Sequence, residues 1–177
     1  MPSDISTKAM LSGMPVAELQ SGFRDAFGRV AATVGVLGVR DHDGRVLGMT
    51  ATAISALSNE PPSLVAMVNN QNATARLIRE RKQFTVTFLA AGSEELASQL
   101  SQPGQSKVIG EEHLEHPPGW PMPVLRDVTA SMACELDTRF EQFTHDILVG
   151  RITHVRTSHG PADPLLYLER RFLRLSA

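Results

Sequence analysis

Cysteine is nearly absent: Cys134 is the only one among 177 residues. A lone thiol excludes an internal disulfide framework and a cysteine-based zinc site, and it fits a reducing compartment. An excess of either charge is missing too. Lys and Arg number 17 and Asp and Glu 19, a formal charge of −2, which excludes the basic footprint of a nucleic-acid binder or a polybasic membrane surface. No apolar run approaches the roughly 18 residues of a membrane-crossing helix. The opening MPSDISTKAMLSGMP lacks the charged head and apolar middle of a signal peptide. The expectation is a cytoplasmic protein with neither nucleic acid nor membrane as partner. Internal repeats and low-complexity tracts are lacking, as are the G-x-S-x-G, G-x-x-x-x-G-K-[ST] and H-E-x-x-H motifs.

What is present suits one globular domain: 42% hydrophobic and 20% charged residues in a chain long enough to bury a core. Residues 1–14 read as a flexible polar arm and 15–177 as the domain. After Pro15, the residues Val16, Leu19, Phe23, Phe27 and Val30 recur at helical spacing. Thr33–Val39 and Val46–Ala56 read as two strands joined by a turn at Asp41–Gly44. Pro61 and Pro62 mark a second turn, and Leu64–Val68 is a short buried strand. Residues 73–82 read as a helix with Leu77 and Ile78 inward and Arg76, Arg79, Arg81 and Lys82 outward. Phe84, Val86 and Phe88 alternate with threonines, and Ser93 is a plausible cap for a helix over 94–100. Residues 101–123, rich in Pro and Gly, read as an irregular, lid-like excursion. Strands follow around Met132–Leu136, Asp146–Val155 and Leu165–Leu175. Many short strands without β–α–β alternation predict a small barrel or sandwich with helical additions.

Two segments have the residue types of a ligand site. Gly48–Ser55 crowds small and hydroxyl residues on a strand, so a flat ligand can approach the backbone while Thr50, Thr52 and Ser55 add donors; a strand with a hydrated threonine face reads equally well. Asn69–Thr74 is a polar run between a strand and a helix start. Free N–H groups there favour an anion such as phosphate, or the asparagines simply cap the helix. His113 and His116, beside Glu111, Glu112 and Glu115, run into Pro117-Pro118, which leaves them a solvated acidic loop rather than a metal site. Cys134 shares a strand face with Met132 and Leu136 and reads as a buried hydrophobe.

These segments, with others in order, carry a resemblance. Phe23–Ala31, Gly48-Met49-Thr50-Ala51-Thr52-Ala53, Leu57–Pro62, Val68-Asn69, Phe84–Leu89, Pro123–Leu125, Cys134-Glu135, His145–Ile152 and Pro164–Tyr167 resemble, in order and spacing, the flavin reductase family. The resemblance implies a mainly β fold, the FMN-binding split β-barrel with a leading helix and short peripheral helices. It implies a homodimer and an NAD(P)H:flavin oxidoreductase that supplies reduced flavin to a partner monooxygenase. FMN or FAD would be the flavin and NADH or NADPH the co-substrate. Met49, Thr50, Ala51, Thr52, Ala53 and Ser55 would bind the cofactor along the isoalloxazine side, Asn69, Asn72 and Thr74 near the ribityl chain and phosphate. His145 would be the catalytic residue beside the nicotinamide, with Tyr167 and Phe172 closing the pocket; no metal is implied. A non-enzymatic flavin carrier, or a split barrel holding another planar ligand such as haem, is the alternative. Three positions depart from the family pattern. Gln71–Thr74 replaces S-S-R-T, leaving Arg76 or Lys107 to meet a phosphate. Thr87 stands at an asparagine position, and Phe143-Thr144-His145 replaces G-D-H.

Overall fold

The computed structural model describes residues 13–159 and 163–175. The expected arm over residues 1–14 falls almost wholly on residues outside this set. In chain order the described elements are α1 (Val16–Gly28), β1 (Ala32–Thr33), β2 (Gly35–Arg40), β3 (Val46–Ala51), β4 (Ile54–Asn59), β5 (Pro62–Asn69), α2 (Ala73–Arg81), β6 (Gln83–Leu89) and α3 (Glu94–Ser101). They continue with a 3-10 turn (Glu111–His113), β7 (Leu114–Glu115), β8 (Val124–Leu125), β9 (Val128–Gln142), β10 (His145–Thr157), β11 (Leu166–Leu168) and β12 (Arg171–Leu173). The chain is mainly β, with a leading helix and short peripheral ones, as its sequence implies.

Seven strands form one antiparallel sheet in the order β3-β2-β6-β9-β10-β5-β4. β3 and β4 are consecutive in the chain yet lie at opposite edges. A flat seven-stranded sheet is about 29 Å across at ~4.8 Å per strand. Thr52 and Ala53 alone link Ala51 to Ile54, and that link spans at most about 11 Å. The sheet must therefore curl until its edges meet, leaving a seam where the strands are linked rather than laddered. On the β4 side of the seam the β4–β5 ladder runs on into the link, where Met67 N–H donates to the Ala53 carbonyl at 2.9 Å.

The inner face of the curled sheet is filled, and the outer face is covered beside β2, β3 and β6. The interior holds Leu37, Val39, Met49, Leu64, Val68, Phe84, Val86 and Leu148, with Ala75 and Ile78 of α2 plugging one end. Outside, Val34, Val36, Val46 and Leu89 pack against Ala97 and Leu100 of α3 and against Ile109, Leu114 and Leu125. β2 thus alternates in and out while staying buried on both faces. A Cβ at Gly48 would come within 2.8 Å of Ile109 Cδ1 and 3.0 Å of Leu100 Cδ1, so a side chain there would push these two core residues aside.

Several expectations are corrected. Val46–Ala56 is two strands, broken at the seam. The strand expected over Thr33–Val39 divides at Val34, whose N–H donates to the Leu165 carbonyl (3.0 Å) while its own carbonyl accepts from Leu89 N–H (2.9 Å). Leu165–Leu175 holds a hairpin, β11 and β12, turned by Glu169 and Arg170 at φ 47° and 62°. Residues 101–123 are no lid: Ile109 N–H donates to Val46 O (2.8 Å), Gly48 N–H to Lys107 O (2.8 Å), and Ile109 and Leu114 are core residues. Ser93 stands before α3 without a side-chain capping bond. The α1 stripe is periodic as expected but faces outward, with Phe23 61% and Phe27 65% exposed.

Candidate functional site

The seam opens into a groove of about 680 Å³, a size suited to a small-molecule ligand. Its floor is Met49, Thr50, Ala51, Thr52 and Ala53, the end of β3 and the link to β4. Val46 and Gly48 turn their outward backbone groups to Ile109 and Lys107. By the alternation of a strand, Thr50 turns its N–H and C=O to the same open edge, beside the groove. The Thr50 hydroxyl is committed as a donor to Ala97 O of α3 at 2.8 Å, so it faces the groove only as an acceptor.

Asn69, at the end of β5, and His145, at the start of β10, are direct cross-strand partners and both line the groove. Asn69 Oδ1 accepts from Gln71 N–H at 2.9 Å. Asn72 caps α2, its Oδ1 accepting from Thr74 N–H at 2.8 Å. Each amide thus keeps its NH₂ group for a ligand. The Thr144 hydroxyl lies 2.9 Å from His145 Nδ1, which leaves Nε2 to the groove. Tyr167 and Phe172, paired across the β11–β12 hairpin with ring centroids 5.3 Å apart, form the opposite wall.

Two of the twelve expected residues lie elsewhere. Thr74 is buried behind the wall, its hydroxyl donating to Gly48 O at 3.3 Å. Ser55 is exposed on β4, with its hydroxyl directed to Ala56 O at 3.3 Å. Neither suggested phosphate cation lines the groove. Arg76 is exposed on α2. Lys107 Nζ donates to Leu100 O and Gln102 O, both at 2.7 Å, closing the C-terminus of α3. Four polar lining residues escaped the sequence reading: Ser98, Ser101, Gln102 and Arg170. The Ser98/Ser101 pair has the i, i+3 spacing of one helix face, a signal in hindsight. Arg170 comes from a turn with no glycine to mark it.

Beneath the His145 wall is a charged anchor. Asp146, wholly buried, accepts from Arg79 Nη1 at 2.6 Å and Arg139 Nε at 2.8 Å. Arg79, expected to face outward, is instead turned in and also donates to Asn70 O at 3.2 Å. Burial pushes the Asp146 carboxyl up, but the bonds from Arg139 and Arg79 outweigh it and hold the group below the usual carboxylate range. Cys134 is buried as expected, its thiol pushed up to about 12 by desolvation, so no nucleophile is available there. No cluster of metal-ligating side chains occurs among the described residues, and His113 and His116 pair with separate carboxylates.

The family model for the flavin reductase like domain matches residues 27–176. An FMN reductase (NADH) RutF of Pseudomonas syringae pv. syringae is 29% identical, over 99% of this chain and 96% of its own. The reductase component of a 4-nitrophenol 4-monooxygenase/4-nitrocatechol 2-monooxygenase from Rhodococcus opacus is also 29% identical, over 85% of this chain and 78% of its own. The styrene monooxygenase flavin reductase of Pseudomonas putida shares the fold, with a TM-score of 0.78 at 20% identity over 88% of this chain and 98% of its own. No helix among the described residues is long and apolar enough to cross a membrane. With a matched region covering the whole barrel and its groove, the chain belongs to the flavin reductase-like domain family.

Proposed function

We propose that this chain is a nicotinamide-dependent flavin reductase that passes reduced flavin to a partner oxygenase. The observation that carries the reading is the groove at the seam, where a backbone-rich floor of small residues faces a histidine, two amides and two aromatic rings. The residues fit a flavin: the flat floor at Ala51–Ala53 admits a planar ring system, and the open edge at Thr50 offers backbone donors and acceptors to a polar ring edge. Asn69, Asn72, Ser98, Ser101 and Gln102 offer neutral polar groups to a hydroxylated chain and phosphate. Among the described residues Arg170 is the only side chain of permanent positive charge in the lining, which favours a ligand that exchanges over one that is clamped.

The floor at Ala51–Ala53 and the neutral groups of Asn69 and Asn72 would hold a flavin, which would supply the redox chemistry as acceptor of a hydride from the nicotinamide. The protein's part is positioning and exclusion of water. When the Thr144 hydroxyl donates to Nδ1, His145 Nε2 carries the ring proton and offers it to the nicotinamide carboxamide. Tyr167 and Phe172 shield the reacting faces. The names of the relatives favour FMN and NADH as the pair. The exposed stripe of α1 and the adjoining apolar hollow of about 560 Å³, bounded by Phe23, Phe27, Met67 and Tyr167, favour a homodimer that closes the groove. The same redox role and the lone thiol fit a cytoplasmic placement.

Steady-state oxidation of NADH and NADPH with added FMN or FAD tests the reading. Flavin-dependent turnover is the expected result. Thr52→Trp should fill the groove and weaken FMN binding at least tenfold in a folded protein. A yellow protein without nicotinamide oxidation would identify a carrier instead.

A further inference from the structure

The turn between β9 and β10 holds a residue that neither packing nor backbone preference explains. Phe143 sits at φ 54°, in the left-handed region that favours glycine and disfavours a bulky side chain. Its ring is 67% exposed, among the most exposed large apolar side chains of the described residues. The backbone is strained, and the side chain gains no burial in return. Strain of this kind persists where the surroundings hold it and clusters at binding sites.

The surroundings do hold it. Asn70 Nδ2 donates to Phe143 O at 3.3 Å, and Asn70 N–H donates to Thr144 O at 3.1 Å. Arg79 fixes Asn70 O, and Asp146 binds Arg79 and Arg139 immediately after the turn. The turn is thereby locked to the Asn69–Asn72 loop, so the ring is presented on a rigid base at the rim of the groove. Phe143 does not line the groove, whereas His145, two residues on, does.

Resting on the flavin reductase reading, we infer that Phe143 is a specificity-determining residue that stacks against the adenine of the hydride donor. With the nicotinamide beside His145, the ring of the dinucleotide that is left outside the groove is the adenine. An aromatic side chain on a fixed backbone at the rim offers it a planar face, with only two side-chain torsions to order on binding.

The test compares wild type, Phe143→Asn and Phe143→Tyr with two donors: the dinucleotide that wild type oxidises, and reduced nicotinamide mononucleotide, which lacks the adenosine half. Asparagine tolerates the positive φ, so the turn survives loss of the ring. Phe143→Asn should raise KM for the dinucleotide about threefold to tenfold, leave KM for the mononucleotide unchanged, and weaken calorimetric binding of the oxidised dinucleotide to the same degree. Its Tm should be unchanged or higher, because strain is relieved, and Phe143→Tyr should behave as wild type. An unchanged dinucleotide KM overturns the inference, and so does an equal rise for both donors. Conversion of Phe143→Asn to a monomer in sedimentation, with a lower Tm, also overturns it, since the ring would then cover a second copy. If wild type itself oxidises no reduced nicotinamide, the parent reading fails, and that result is distinct from all of these.

Discussion

Asp146 shows how much of the site depends on one side chain that no ligand touches. A carboxylate with no exposed surface is tolerable only because two guanidinium groups reach it, both partly open to water. Because its pKa is lowered in the folded chain, the linkage has one sign. The stabilisation is complete above the unfolded value of about 4 and is lost as pH falls through the lower folded value. Asp146→Asn should cost about 2 kcal/mol near pH 7, read from denaturant unfolding, because Arg79 and Arg139 can turn to water but lose their partner. The mutant's deficit should shrink as pH falls below about 4; a pH-independent deficit would assign the loss to packing. Arg79 also marks a limit of reading residues singly. On its helix it looks like a solvated cation, and its partner lies 67 positions away. Met49–Ala53, Asn69 and Asn72, marked by residue type and the family pattern, and His145, Tyr167 and Phe172, marked by the family pattern alone, come together in one groove. Thr74 and Ser55 have similar chemistry but do not line it: one is buried and the other lies exposed on β4.

Among the elements, α3 is the most instructive. It brings Ser98, Ser101 and Gln102 to the groove; beyond the core packing of Ala97 and Leu100, the Thr50 hydroxyl on Ala97 O and the Lys107 ammonium on its terminal carbonyls help to hold it. A cation there satisfies orphan carbonyls and complements the helix dipole. Lys107→Met should lower stability by about 1 kcal/mol and raise the Kd for FMN severalfold by loosening that wall; calorimetric titration of FMN reads the second effect. Element identity was largely legible and element boundaries less so. Thr52 and Ala53 include neither glycine nor proline, so no turn residue marks the seam; only a slip in the alternation, at Ala53-Ile54, coincides with it. The Glu169-Arg170 turn hides likewise, because both residues take positive φ without the glycine or asparagine that usually marks it. Residues 101–123 look loose by composition, yet Ile109 and Leu114 anchor them from within.

At the scale of the whole molecule, α1 is an element without a core. None of its residues is buried, and its apolar stripe borders the hollow beside the groove. A tether at its end, Glu169 N–H to Gly28 O at 2.7 Å, holds it to the β11–β12 hairpin. Replacing Phe23 and Phe27 by Asp should therefore leave the barrel folded and yield monomers in sedimentation equilibrium, with weaker flavin binding; a dimer that survives the double change would place the interface elsewhere. The two-residue link at Thr52–Ala53 also fixes when the groove can exist. β2 and β3 zip across a tight turn from neighbouring residues, but β5 joins the sheet through β10, pairing Val65 with Val149 from the far half of the chain. Such distant pairings form slowly because loop closure precedes the contacts that reward it. Until they form, Met49–Ala53 is one bank with no opposite shore. A ligand that bridges both banks binds only the closed chain, and by mass action it draws folding forward.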